Sequence, residues 1–323
     1  MRNNMSLAKL RFSMLATLAI IIGVSTLFFA LVLTMVEAFD ILTLVMFVGG
    51  FNVLQWLMAP YLVDIMYQTR QVSPSEQPDL YQTVERISQK SNLPIPRLMI
   101  ANVPIPNAFA YGSPIAGTRV AVTSGLLQTL DAEEVEAVLA HELGHIKHKD
   151  VQVMMFVSVL PAILYYVGYS LSLQSRYGRD RNRGSGFALV GAASMVAYFV
   201  LTLLSLWLSR LREYYADRHT VQVVDDGARK LQEALAKIVT YTGRVKVTNQ
   251  PYAMSSFKSL YISDPDTAER DYQEIRYTSS GTYDNELVNN ILSRKTSGLD
   301  TFAEIFSTHP NIIKRIRALE QLR

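Results

Sequence analysis

The chain has 323 residues, of which 49% are hydrophobic and only 18% charged, with a formal net charge of +3. Four stretches contain no Asp, Glu, Lys or Arg, namely residues 13–36, 41–63, 151–175 and 184–209; together they hold 98 residues, and the remaining 225 are 26% charged, as in an ordinary soluble domain. Each stretch can cross a hydrocarbon core of about 30 Å at about 1.5 Å per residue, which excludes a purely soluble enzyme, a disordered chain and a fibre.

The small net charge, with no basic stripe interleaved with aromatics, leaves nucleic acid without a footprint. The absence of cysteine removes disulfides, thiolate metal sites and cysteine nucleophiles. Arg2, Lys9 and Arg11 precede the first apolar run, which is too long for a signal sequence and is soon followed by a second, so it reads as a retained anchor. The connection between those two runs carries only Glu37 and Asp40, so the positive-inside rule places the N-terminus in the cytoplasm.

The chain then reads as a multi-pass protein of the cell (inner) membrane in four parts. Residues 1–66 form two N-terminal transmembrane helices, 67–150 a cytoplasmic part, 151–209 a hydrophobic hairpin of two membrane helices, and 210–323 a second cytoplasmic part. The hairpin connection carries Arg176, Arg179, Arg181 and Arg183, which the same rule would keep inside; the hairpin is either held out against that preference or only dips into the membrane. Pro161 should kink its first arm.

In the first cytoplasmic part, Leu80, Val84 and Ile87 recur at helical spacing. Residues 97–101 and 119–123 read as strands, joined by a Pro-, Gly- and Asn-rich connection that includes the short apolar piece Ala108 to Tyr111. A helix follows with Asp131 as N-cap and Glu134 completing a capping box. Residues 211–222, 228–241 and 311–322 also read as helical, whereas 244–307 is polar, irregular and without a motif.

His141, Glu142, Leu143, Gly144 and His145 spell H-E-x-x-H on the capped helix. Spacing of four places both imidazoles on one face about 6 Å apart along the axis, where two nitrogens can bind one Zn²⁺. Glu142, about a quarter-turn round the helix, can reach a reacting water instead. The plain alternative is two surface histidines on a charged helix. His148 shares the face of His141 but lies about 10 Å further along, too far to bind the same ion, which suits a helix-end or supporting role.

A third protein ligand is best supplied by Glu213, with Asp217 on the same helix face to accept an imidazole N–H and fix a ligand histidine. The same spacing equally suits an exposed pair bridging to Arg210 or Arg212. Topology favours the metal: His145 is about 9 Å of helix before the third apolar run and Glu213 about 6 Å after the fourth, so a hairpin brings both to one membrane face.

With these motifs placed, most of the chain resembles the gluzincin family of membrane zinc proteases, family M48. The run Asn107, Ala108, Phe109, Ala110 before a turn and Thr308-His309-Pro310 near the C-terminus are also similar to that family. The resemblance implies a mainly α integral membrane protein, with a zincin-type helical core, a small antiparallel β-sheet and four hydrophobic helices. It implies one Zn²⁺ per subunit on His141, His145 and Glu213, Glu142 as general base, and cleavage of misfolded or damaged membrane proteins in quality control. Asn107 to Ala110 would be an edge strand that pairs with substrate backbone, or else a plain strand-connecting loop. His309 would steady the oxyanion, while Thr308 and Pro310 also suit the N-cap and first position of a helix. Arg315 matches a family arginine, though a solvated helix would also carry one. The chain departs from the pattern at Asn311, where a second proline is common.

Three other readings follow from the same residues. An intramembrane-cleaving metalloprotease would have to place the charged neighbours of the motif, from Asp131 to Asp150, in hydrocarbon at high cost. A prenyl-protein protease would need more than four spans for its enclosed chamber. A non-catalytic zinc-dependent membrane scaffold would bind metal without cleaving substrate.

Overall fold

A computed structural model describes residues 54, 56–150, 153–154, 161, 164–165, 167–169, 171–172, 181–247, 284–294 and 298–323. The first expected span and most of the second and third lie outside the described residues, as does the whole segment from 248 to 283. The chain divides into two compact units, whose described parts fall in Leu57–Val151 with Arg210–Arg323, and in Met5–Trp56 with Gln152–Ser209.

The larger unit is mainly helical around a small sheet. Residues 56–67 are helical, and strand β1 (Thr69–Gln71) follows, then helix α1 (Pro78–Lys90), strands β2 (Arg97–Ala101), β3 (Ala108–Ser113) and β4 (Gly117–Thr123), and helices α2 (Ser124–Thr129) and α3 (Ala132–Lys147). Helix α4 (Arg181–Val223) enters from the smaller unit, and α5 (Gly227–Val247), α6 (Asp284–Leu292), α7 (Gly298–Ile305) and α8 (Ile312–Glu320) complete the order.

The sheet is mixed, in the order β1-β2-β4-β3, and corrects the expected antiparallel one. β3 and β4 form a hairpin whose turn ends on Gly117 at a φ of +71°, a conformation glycine adopts without strain. The hairpin returns β4 parallel to β2, with Arg97 opposite Arg119, and β1 adds antiparallel to the far side of β2. The apolar piece Ala108 to Tyr111 is therefore a strand within what the sequence presented as a connection.

Alternation sorts the side chains between two cores. Leu98, Ala108, Val120 and Val122 join the main core with α1, α3, α5, α6 and α8, while Met99, Phe109, Tyr111 and Ala121 pack on Val63 and Tyr67 from the 56–67 helix. Helix α1 buries Leu80, Val84 and Ile87, the apolar face its spacing announced. Helix α3 starts as expected: Asp131 accepts from the Glu134 N–H and Glu134 returns the bond to the Asp131 N–H, each at 3.0 Å. The last helix starts differently, because Asn311 rather than Thr308 is its N-cap, accepting from the Ile313 N–H at 3.0 Å.

Helix α4 begins within the expected hairpin connection and runs unbroken through residue 223, so the fourth apolar run and the following motif share one rod. Among the described residues, Ala188–Val223 is the helix long and apolar enough to cross a membrane. In the smaller unit, Leu164, Leu201 and Leu208 cluster with Val153, Met154 and Leu204, and a Cβ at Gly168 would meet the Ser194 Cβ at 3.0 Å.

Candidate metal centre

Two helices build the site. α3 supplies His141, Glu142 and His145, and α4 supplies Glu213 and Asp217. Gly144 lets them approach: a Cβ there would lie 3.0 Å from the Ala216 Cα and 3.2 Å from the His219 Cβ. A glycine inside a helix costs about 1 kcal/mol against alanine, and here it makes room for the facing backbone.

The imidazole Nε2 atoms of His141 and His145 face each other at 3.2 Å. The Glu213 carboxylate completes a triangle, with Oε2 3.4 Å from His141 and Oε1 3.5 Å from His145. One ligand atom from each residue lies within 4.8 Å of the others, so the group could hold a metal ion. A tetrahedral zinc with bonds of about 2.1 Å needs ligand atoms about 3.4 Å apart, and these separations fit. A second observation points the same way: Glu213 Oε2 is buried without a hydrogen-bond partner, and its 3.1 Å contact with Arg315 Nη1 is an ion pair only. Two nitrogens and an orphaned carboxylate oxygen form a donor set suited to zinc.

Both histidines are braced from behind, which turns Nε2 inward. His141 Nδ1 lies 3.1 Å from Asp217 Oδ1, and His145 Nδ1 lies 2.6 Å from Asp150 Oδ2. Asp150 was not singled out as a partner in the sequence; it reaches His145 because Lys149, at a φ of +56°, turns the chain back after the end of α3. Charge just after a helical H-E-x-x-H was the available signal.

Arg315 lies under the centre rather than in solvent. It is the largest fully buried side chain among the described residues, and it holds Asp217 with two bonds, Nε to Oδ2 at 2.8 Å and Nη2 to Oδ1 at 2.7 Å. Such a fork offsets two buried carboxylates with one delocalised cation. Burial would raise the Glu213 and Asp217 carboxyls, but the Arg315 charge holds both below the usual range, Glu213 well below it. Burial would likewise raise Asp150, yet the bond from His145 and the Arg212 charge hold it down. Burial and Arg315 would lower His141, but Asp217 and Glu213 outweigh them and carry it to about 9.

Glu142 differs from these carboxylates. It is buried beside the triangle, and burial raises its pKa despite the opposing influence of His145 and His141. Its Oε2 accepts the Ala110 N–H at 3.0 Å, so the strand edge touches the helix motif directly.

β3 pairs only with β4 among the described strands. Since Ala110 turns its N–H outward to Glu142, strand alternation directs the main chains of Ala108 and Ala110 outward and that of Phe109 toward β4. Asn107 precedes the strand, and Thr123 engages both its N–H and C=O at 2.9 Å. His309 is buried with its Nε2 3.9 Å from Glu213 Oε1, close to the triangle. His148 is the C-cap of α3 and packs against Tyr215, outside the donor group.

A helical domain with a small sheet beside a two-histidine, one-carboxylate centre defines a metalloprotease class of architecture. The sequence pattern of peptidase family M48 matches residues 74–323, and the chain belongs to that family. It is similar to the protease HtpX homolog of Thermoplasma acidophilum, with 38% identity over 84% of this chain and 82% of that protein. Protease HtpX homolog 2 of Saccharolobus solfataricus is 36% identical over 99% of both chains. The crystal structure of S. mikatae Ste24p, with a TM-score of 0.51 and 15% identity, covers 97% of this chain and 67% of that one, a likeness of fold.

Proposed function

We propose that the chain is a membrane-bound zinc metalloendopeptidase that hydrolyses misfolded or damaged membrane proteins at the cytoplasmic face. The observation that carries this reading is the triangle of His141, His145 and Glu213 donors beside the buried Glu142 carboxylate. His141, His145 and Glu213 would hold one Zn²⁺, which supplies Lewis acidity for the carbonyl and lowers the pKa of a water toward 7.

The protein's own groups would then divide the proton work. Glu142, made more basic by burial, takes the proton of the attacking water and later delivers it to the leaving amine. Asp217 and Asp150 accept the Nδ1 protons of His141 and His145 and keep Nε2 aimed at the centre. His309 is close enough to steady charge on the carbonyl oxygen. Ala108 and Ala110 offer outward main-chain groups for an extended substrate, with the Ala110 N–H released from Glu142 on binding.

The membrane assignment rests on charge and exposure. The apolar part of α4 exposes Leu189, Val196, Phe199 and Trp207, side chains that water would leave costly and lipid would not. The four-part division, with spans within 1–66 and 151–209 and cytoplasmic parts at 67–150 and 210–323, belongs to the same proposal.

Incubating zinc-reloaded protein with a loosely folded membrane protein tests it. Glu142→Gln should keep zinc and fold yet lose cleavage by at least about a hundredfold, the low end for a general base. Full activity in that variant would end the reading, and zinc binding without cleavage by the unaltered protein would favour a scaffold.

A further inference from the structure

Helix α7 is built inside out. Among its described side chains, Phe302, 62% exposed, and Ile305, 39% exposed, stand out beside the small Thr301, followed by Phe306 at 51%; the two phenylalanine rings pack edge-to-face 5.6 Å apart. Its Glu304 turns inward instead, where it pairs with Lys314 and accepts the Asn311 N–H at 3.1 Å. A helix bathed only in water would place these groups the other way round.

Two sets of contacts within the same unit mark where charge-free runs end, and the first of them holds α7. Arg210, the first charged residue after the charge-free run 184–209, donates to the carbonyls of Glu304 at 2.7 Å, Ile305 at 3.2 Å and Ser307 at 2.7 Å. Asp64, the first after the run 41–63, accepts from Thr69 at 2.5 Å and Tyr111 at 2.7 Å and pairs with Arg119. Near that second clamp Leu62, Ile65 and Met66 are also exposed. Both clamps lie within the larger unit and follow directly on a charge-free run in the sequence; the Arg210 clamp holds the C-terminal end of α7.

We propose that α7 is an interfacial membrane helix, with Phe302, Ile305 and Phe306 seated among lipid headgroups and upper acyl chains. This deepens the membrane reading above and rests on it. An amphipathic helix in that position buries its apolar face about 5–10 Å into the boundary. Because the chain from Ser307 leads directly to His309, the lipid-seated helix would set the centre close above the membrane surface, where a segment just emerging from the bilayer first becomes available.

The absence of cysteine permits a direct test on the whole 323-residue chain. Phe302→Cys, Phe306→Cys, Val196→Cys and Asn289→Cys variants carry an environment-sensitive fluorophore after reconstitution into phosphatidylcholine and phosphatidylglycerol vesicles. Lipids bearing a nitroxide high or low on the chain act as quenchers. The labels at 302 and 306 should lose about half or more of their emission to the shallow nitroxide and less to the deep one, as expected for interfacial depth. The label at 289, on an exposed α6 position, should be unaffected. If 196 is quenched while 302 and 306 behave like 289, the interfacial helix is wrong and the membrane reading stands. If 196 is not quenched either, both fall. A response at 302 and 306 to added unfolded polypeptide, without lipid quenching, would assign the face to substrate and overturn the lipid assignment.

Discussion

At the scale of single residues, the centre pairs each inward-facing nitrogen with a carboxylate behind it, and these carboxylates are not equivalent. Asp217 is shared with Arg315, whereas Asp150 hangs on the turn at Lys149. Asp150→Asn keeps the shape but weakens acceptance of the His145 proton, so zinc affinity should fall about 10- to 100-fold, measured by competition with a chelator. Unchanged affinity would mean that the 2.6 Å contact does not support the ligand.

His219 makes a pH prediction. Burial, reinforced by His148 and Lys147, lowers its pKa to about 4, and its Nε2 lies 2.9 Å from Ser91 Oγ. An unfolded histidine titrates near 6.5, so between about 6.5 and 4 the unfolded chain binds the extra proton. The stabilisation is complete above that window and is lost as pH falls through it, by up to about 3 kcal/mol. Thermal melts of His219→Gln across the window should show a shallower decline than the unaltered protein; parallel curves would contradict the assignment.

At the scale of elements, the H-E-x-x-H helix was legible down to its capping box because each signal lies within four residues of its partner. The same holds for α1 and β2. β3 was harder to read: Ala108 and Phe109 are buried on opposite faces, so apolar residues follow one another without alternation. Only the family resemblance picked out Arg315; spacing alone left it open as a solvated helix charge, because its partners Glu213 and Asp217 are about a hundred residues away in sequence and meet it only in the fold. Thr308 and Pro310 carried a plausible start signal, yet Asn311 closes the first turn of α8 itself. The long segment before His309 offered no motif, although α6 and α7 lie within it.

The contact of α3 with α4 is the element-scale determinant of the site. Gly144→Ala asks the Ala216 and His219 atoms to give by a few tenths of an ångström and gains helix propensity, so it should be close to neutral. Gly144→Val adds branched bulk at the same contact and should cost about 1–3 kcal/mol, with weaker zinc retention. Melting temperature and metal content of the two variants, compared side by side, check that order.

At the scale of the whole molecule, the continuous helix α4 joins an apolar run to the carboxylate that closes the triangle. A charge-free stretch and the motif from Glu213 to Asp217, which the sequence presents as separate signals, therefore belong to one helix, with Glu213 four residues after the run 184–209. Zinc X-ray absorption on the purified full-length protein and on Glu213→Ala tests the account most directly. The unaltered chain should bind one zinc through two imidazole nitrogens and a carboxylate oxygen at about 2.0–2.2 Å, and the variant should lose the carboxylate and most of the metal. Equal zinc content with the same coordination shell in both proteins would contradict it.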